Sequence, residues 1–190
     1  IIEKELSRLF GYTVLLETGL ALLLVSLQSD AGVSILYLSF IPRMFALSLM
    51  ALSLTIFKSS GISLEIDNLA GTMKKFPFAS LALVISMFSV AGCPLLGGFP
   101  IRLNLLELLA EVSPGITVWV MIGMGAYLFS AMRLFLRISK PTEGEWERGE
   151  SNNQIFFIVT GVVVLLVFGL FPNLFAEILR SLFVNLPILR

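Results

Sequence analysis

The chain has no histidine and a single cysteine, Cys93, among its 190 residues. Without imidazole, zinc, haem and histidine-relay chemistry are poorly supported. Any proton path must run through Lys, Arg, Glu, Asp, hydroxyl groups and water. One thiol excludes an internal disulfide and a cysteine cluster, so Cys93 reads as a small packing residue. Charge is scarce too. Charged residues make up 14% of the chain, against about a quarter in soluble domains. The formal net charge is zero, which removes any basic field that would attract nucleic acid. No strand turn of the Gly-x-Gly-x-x-Gly kind offers a dinucleotide site. What remains is apolar: 57% hydrophobic residues and a mean hydropathy of +0.95 identify an integral membrane protein.

The stretch that organises the rest runs from Phe76 to Glu111. Phe78 to Ala91 is a charge-free helical run, and Ala91 to Pro100 then breaks it with Gly92, Pro94, Gly97, Gly98 and Pro100. Each proline removes an N–H donor, and the glycines allow the chain to unwind. An apolar helix resumes with Arg102, Glu107 and Glu111. Unwound backbone at membrane depth survives only where protein or a water-filled cavity satisfies it. A cation just past such a break is a candidate for an ion path. The plainer reading is a re-entrant turn or interhelical loop.

Four uninterrupted runs complete the expected set of spans: Leu9–Leu27, Val33–Phe57, Ile116–Phe135 and Ile155–Phe171. Each approaches the roughly 20 residues that a bilayer requires. The expected fold is therefore an all-α polytopic membrane protein with five transmembrane helices, the third discontinuous. Residues 1–138 hold the first four spans, 139–153 a polar cytoplasmic-side loop, and 154–190 the last span with an amphipathic tail, Phe175–Leu186. Asp67–Gly71 with Lys74-Lys75 reads as a short surface helix. Five alternating spans gather Lys4, Arg8, Lys58, Lys74, Lys75, Arg137, Lys140 and Arg148 on one face. That face, with the N-terminus, is expected to be cytoplasmic or its organellar equivalent. Ile1-Ile2-Glu3-Lys4-Glu5 is neither a methionine start nor a signal peptide, so a portion of something longer is expected.

Charges inside the spans are few and costly, hence informative. Glu17 lies near the middle of the first span and Arg43 near the middle of the second. Arg43 either snorkels to an interface or pairs with Glu17. A buried pair serves equally as a proton-path element or as a clamp between helices. Glu107 and Glu111 are one turn apart on one helix face. Glu107 is a candidate for an exit half-channel, whereas Glu111 reads as solvated. Ser86, Ser89 and Ser130 either hold waters or pack helices, and Arg133 snorkels by default.

Three pieces, in this order, resemble the antiporter-like membrane subunits of respiratory complex I. Lys4 to Thr13 (KELSRLFGYT) is similar to the D-x-K-R-L-L-A-Y-S-S that opens a helix in that family. Asp67-Asn68-Leu69-Ala70-Gly71, Phe76-Pro77 and Ser89 to Arg102 follow its D-L-A-G, apolar helix and S-L-A-G-I-P-P-x-x-G-F-x-x-K. Tyr127 to Arg133 resembles its Y-Y-x-R helix end. The second piece is the specific one, and subunit N of bacterial NADH:quinone oxidoreductase is the nearest in character. The chain departs from the pattern at Arg102 (lysine), Glu17 (His or Gln) and Leu95 (the second proline).

The resemblance implies the C-terminal portion of a subunit with about fourteen helices and two inverted five-helix repeats. It implies a proton-conducting subunit whose path uses Arg102, Glu17, Arg43 and Glu107, with no catalytic residue, metal or redox cofactor in this chain. NADH, FMN, iron–sulfur clusters and quinone are then expected in partner subunits. Other expected partners are membrane-arm and hydrophilic-arm subunits, a chain with the missing N-terminal helices, and the lipid bilayer of a bacterial inner, thylakoid or mitochondrial inner membrane. A subunit of a cation/proton antiporter or membrane-bound hydrogenase, or a non-pumping structural subunit, stays open. Arginine keeps its proton, which favours the structural alternative somewhat.

Overall fold

A computed structural model of the chain describes residues 3–140 and 149–172, and all of its regular structure is helical. The helices in chain order are α1 (Leu6–Ser26), α2 (Asp30–Ser59), α3 (Thr72–Lys75), α4 (Pro77–Ala91), α5 (Gly98–Val112), α6 (Pro114–Ile138) and α7 (Asn152–Leu170). Among the described residues, α1, α2, α6 and α7 are long and apolar enough to cross a membrane. They coincide with the four uninterrupted runs to within a few residues. The Phe175–Leu186 tail lies outside the described residues.

Sequence signals set the helix ends. Ser29 caps α2 by accepting from the Gly32 N–H, with Asp30 in the first turn and Lys58 in the last, each at the matching end of the helix dipole. Ser151 and Gln154 form a capping box that starts α7. Pro114 occupies the first turn of α6, where its missing N–H would be unpaired anyway. The expected surface helix is instead two short pieces, a 3-10 turn over Ile66–Leu69 and α3, separated by Gly71 at φ +78°. Leu69 and Ile66 are buried, so this segment docks onto the bundle. It also pairs with the chain start, through Leu6 N–H to Leu64 O and Ile66 N–H to Lys4 O.

Helix α4 lies at the centre, packed on α2, α6 and α7. Two apolar clusters divide the bundle along its length. One joins Leu6 and Leu9 at the start of α1 to Met50, Ile56 and Phe57 at the end of α2, through α4. The other joins Leu20 and Leu24 at the end of α1 to Ile35 at the start of α2, through Ile101, Leu105 and Leu109 of α5. Thus α4 and α5 pack against successive halves of the α1–α2 pair.

Between them, Gly92 ends α4 in the left-handed region, at φ +79°. A Cβ there would also lie 2.8 Å from Arg102 Cγ. Gly98 admits no side chain, because its Cβ would fall onto the Ser89 carbonyl. Its N–H meets Ser89 Oγ at 3.2 Å. Gly97 packs against Pro42 of α2 and Phe168 of α7. Pro100 is the third residue of α5, a position with no intrahelical acceptor to lose. Leu95 holds φ +72°, which proline cannot adopt. The break is therefore wound differently here than a Pro-Pro pair would wind it.

Glu150, near the end of the polar stretch, is buried. Gly149 N–H donates to Lys75 O, and Glu150 Oε1 accepts from Ala79 N–H at 3.1 Å. The cap residue of α4, Phe76, offers no side-chain acceptor, so a carboxylate 71 positions away satisfies that N–H.

Two glycines test this packing. In thermal melts of the detergent-solubilised protein, Gly98→Ala should abolish or sharply lower the transition, since backbone meets the new methyl. Gly11→Ala meets nothing within 4 Å and should leave the melt unchanged or raise it by up to about 1 kcal/mol. Leu95→Gly, which relieves a left-handed residue, should stabilise by about 1 kcal/mol.

Candidate functional site

The buried face of α1 is the stripe Leu6, Leu9, Thr13, Glu17, Leu20 and Leu24, spaced by three and four as one helix face requires. Two polar residues in an inward stripe need partners from other helices, and both have them. Thr13 Oγ1 donates to the Leu9 carbonyl and shares a 2.8 Å hydrogen bond with Tyr127 OH of α6. One turn on, Glu17 Oε1 accepts from Arg102 Nη2 of α5, and both side chains are 7% exposed.

Arg102 has a second partner. Its Nε–H donates to the Val90 carbonyl at 3.2 Å. Val90 is the next-to-last residue of α4, where carbonyls lack intrahelical donors and the helix dipole is negative. The guanidinium therefore caps α4 while belonging to α5, and Glu17 neutralises it.

A cavity of about 20 Å³ adjoins the pair, lined by Glu17, Ser39, Pro42, Arg43, Ser89 and Arg102 among others. That is room for about one water. A wider groove of about 510 Å³ lies between α1 and α6, bordered by Glu3, Tyr12, Leu16, Tyr127, Ser130 and Arg133. Tyr127 belongs to the groove and to the Thr13 hydrogen bond alike, so polar groups run from the groove to Glu17.

The structure joins Glu17 with Arg102 and places Arg43 on the same cavity. Of the two readings left open for Arg43, pairing with Glu17 is not the one found. Glu17 lies on the inward stripe and faces α5, while Arg43 Nη2 donates at 3.0 Å to Thr18 Oγ1, on the next side of α1. Glu107 is exposed and stays apart from the pair, five positions on and about 140° around the helix from Arg102. Ser89 holds the break, and Ser86 and Ser130 donate to backbone carbonyls one turn back. Cys93 packs partly buried against the larger cluster.

Three participants were not singled out from the sequence. Thr13 and Tyr127 have a local signal, since Thr13 sits four residues before Glu17. Glu150 has none, as an acid in a polar stretch. Among the described residues, no three His, Cys, Asp or Glu side chains converge as a metal site would need.

Comparison with known proteins gives the chain a family. Residues 1–140 match the family model described as NADH:quinone oxidoreductase/Mrp antiporter, TM. NADH-quinone oxidoreductase subunit N 1 of Rhizobium meliloti is 33% identical over 171 residues, covering 88% of this chain and 34% of that protein. Subunit N of Pelagibacter ubique is 27% identical, covering 95% and 39% respectively. The chain thus spans little more than a third of the length of these relatives. A chain of respiratory complex I from Thermus thermophilus, solved with bound aureothin, shares the fold at TM-score 0.56 and 21% identity, over 90% of this chain and 45% of that one. With three quarters of its length matched by the family model, the chain belongs to the NADH:quinone oxidoreductase/Mrp antiporter transmembrane family.

Proposed function

We propose that the chain forms the C-terminal spans of a proton-translocating membrane-arm subunit of a complex I type NADH:quinone oxidoreductase. In this reading α4 and α5 make one discontinuous span, giving five in all. Their stacking on successive halves of α1 and α2 supports it. The N-terminus lies on the cytoplasmic or equivalent side, where the lysines and arginines gather. NADH, FMN, iron–sulfur clusters and quinone belong to partner subunits, and a further membrane segment or chain supplies the N-terminal helices. The relatives' names favour the oxidoreductase over a cation/proton antiporter or hydrogenase.

The observation that carries the reading is the buried Glu17–Arg102 pair at the helix break. Arginine does not release its proton, so the exchangeable proton resides on Glu17. It arrives along the α1–α6 groove, by Tyr127 and Thr13. Protonating Glu17 removes the charge that balances Arg102. The guanidinium keeps its Val90 carbonyl and turns toward the small cavity. Return of the ion pair expels the proton toward the face where Glu107 stands exposed. Redox energy from partner subunits biases the two states.

A buried pair also clamps helices without moving protons, which is the structural-subunit reading. In the assembled complex, Glu17→Gln should cut redox-driven proton pumping by at least about tenfold while assembly persists. Normal pumping would leave only the clamp. Tyr127→Phe should slow pumping less, with the Glu17–Arg102 pair intact. The energetic counterpart is a melt series. Arg102→Ala, which strands a buried carboxylate, should cost about 3–5 kcal/mol, and adding Glu17→Gln should recover much of it.

A further inference from the structure

Among the described residues three charged side chains are buried: Glu17, Arg102 and Glu150. The first two form the ion pair at the break. Glu150 is the one that the proton switch leaves unused. It directly precedes Ser151, the cap of α7, yet its Oε1 accepts from the Ala79 N–H of α4. Gly149 lies against the Phe76 ring, where a Cβ would not fit, and its N–H donates to the Lys75 carbonyl. Two successive residues thus fasten the start of α7 to the start of α4.

Burial gives this fastening a direction. Ala79 is 0% exposed and stands in the first turn of α4, where an N–H has no acceptor within its own helix. Without Glu150, an outward slide of α4 along its axis is what brings that N–H to water. An unpaired buried donor drives such a slide. Ala79 and Val90 are eleven residues apart, about 17 Å along the helix. No proline or glycine lies between them to absorb the movement. At the far end, the Val90 carbonyl accepts from Arg102 Nε–H at 3.2 Å, already the long end of the normal range. A small outward slide of α4 therefore breaks that bond.

We propose that Glu150 is a positioning residue for the Glu17–Arg102 pair. By satisfying the first turn of α4 it fixes that helix along its axis, and so keeps the Val90 carbonyl on Arg102 when Glu17 takes up a proton. The start of α7 and the break are then linked through α4, although no side chain of one touches the other. The role needs an acceptor at this place. A glutamine amide offers one, together with a donor for the buried Ser80 Oγ, which like Glu150 Oε2 has no partner. The inference rests on the proton-switch reading for its consequence in pumping. Its structural half is read without pumping, so the two can fail separately.

Cys93 reports the far end of α4. It is partly buried, and its N–H donates to the Phe88 carbonyl, so it moves with that helix. The test follows N-ethylmaleimide labelling of Cys93 in the full-length protein in its native membrane, read by mass spectrometry of the Cys93 peptide. Glu150→Ala should raise the labelling rate at least about threefold, as a local opening does, and should lower redox-driven pumping. Glu150→Gln should return both to wild-type values. Glu150→Asp, one methylene short, should give weaker changes of the same sign, and serves if alanine prevents assembly. Ser151→Ala loosens the start of α7 without removing the contact to α4, and should leave Cys93 labelling unchanged. Unchanged labelling in Glu150→Ala and Glu150→Asp would overturn the proposal. So would an equal rise in Ser151→Ala, or faster labelling with pumping at the wild-type rate.

Discussion

The structure depends on one constraint: the backbone that is unwound between α4 and α5 must still satisfy its polar groups. The ends of α4 present the problem twice. At its C-terminus Arg102 reaches back to the Val90 carbonyl, and the charge this brings inside is balanced by Glu17. At its N-terminus Glu150 accepts from Ala79. Charged side chains at both ends match the sign of the helix dipole. The short central helix is thus held by electrostatics at its tips and by apolar packing along its length.

Close packing around the break follows from the same constraint. Gly97 lies against Pro42 and α7, while Gly98 lies against the Ser89 carbonyl. A chain that lacks its own helical hydrogen bonds needs neighbours near enough to exclude lipid, and small residues allow that approach. Pro42 fits here as well. It removes a donor from α2 at the level where the break packs, so irregular backbone in two adjacent elements meets in one protected place.

Concentrating polar groups at this level has a functional consequence. An ion pair with one titratable partner, a cavity the size of a water, and a hydroxyl pair leading to a groove are the minimum for moving a proton without a cofactor. With arginine in the pair, the proposed switch becomes a question of where a fixed charge points. In the proposed function, the glutamate of the first span is the group that carries the proton.

The four long apolar helices, the interruption with its glycines and prolines, and the need of Glu17 and Arg102 for partners were legible in the sequence. Hydropathy over about 20 residues, backbone-specific residues and the cost of charge in lipid are properties of single positions or short windows. The pairing of Glu17 was not legible. Whether a mid-span carboxylate meets Arg43 or Arg102 depends on which side of α1 faces which helix, and Thr18, one residue on, faces the other one. Glu150 was hidden for the same reason, because its partner lies 71 positions earlier. Likewise, Glu107 shares a helix with Arg102 but not a face. The residues set which elements form and which charges need partners; only the rotation and stacking of the helices decided which partners they found.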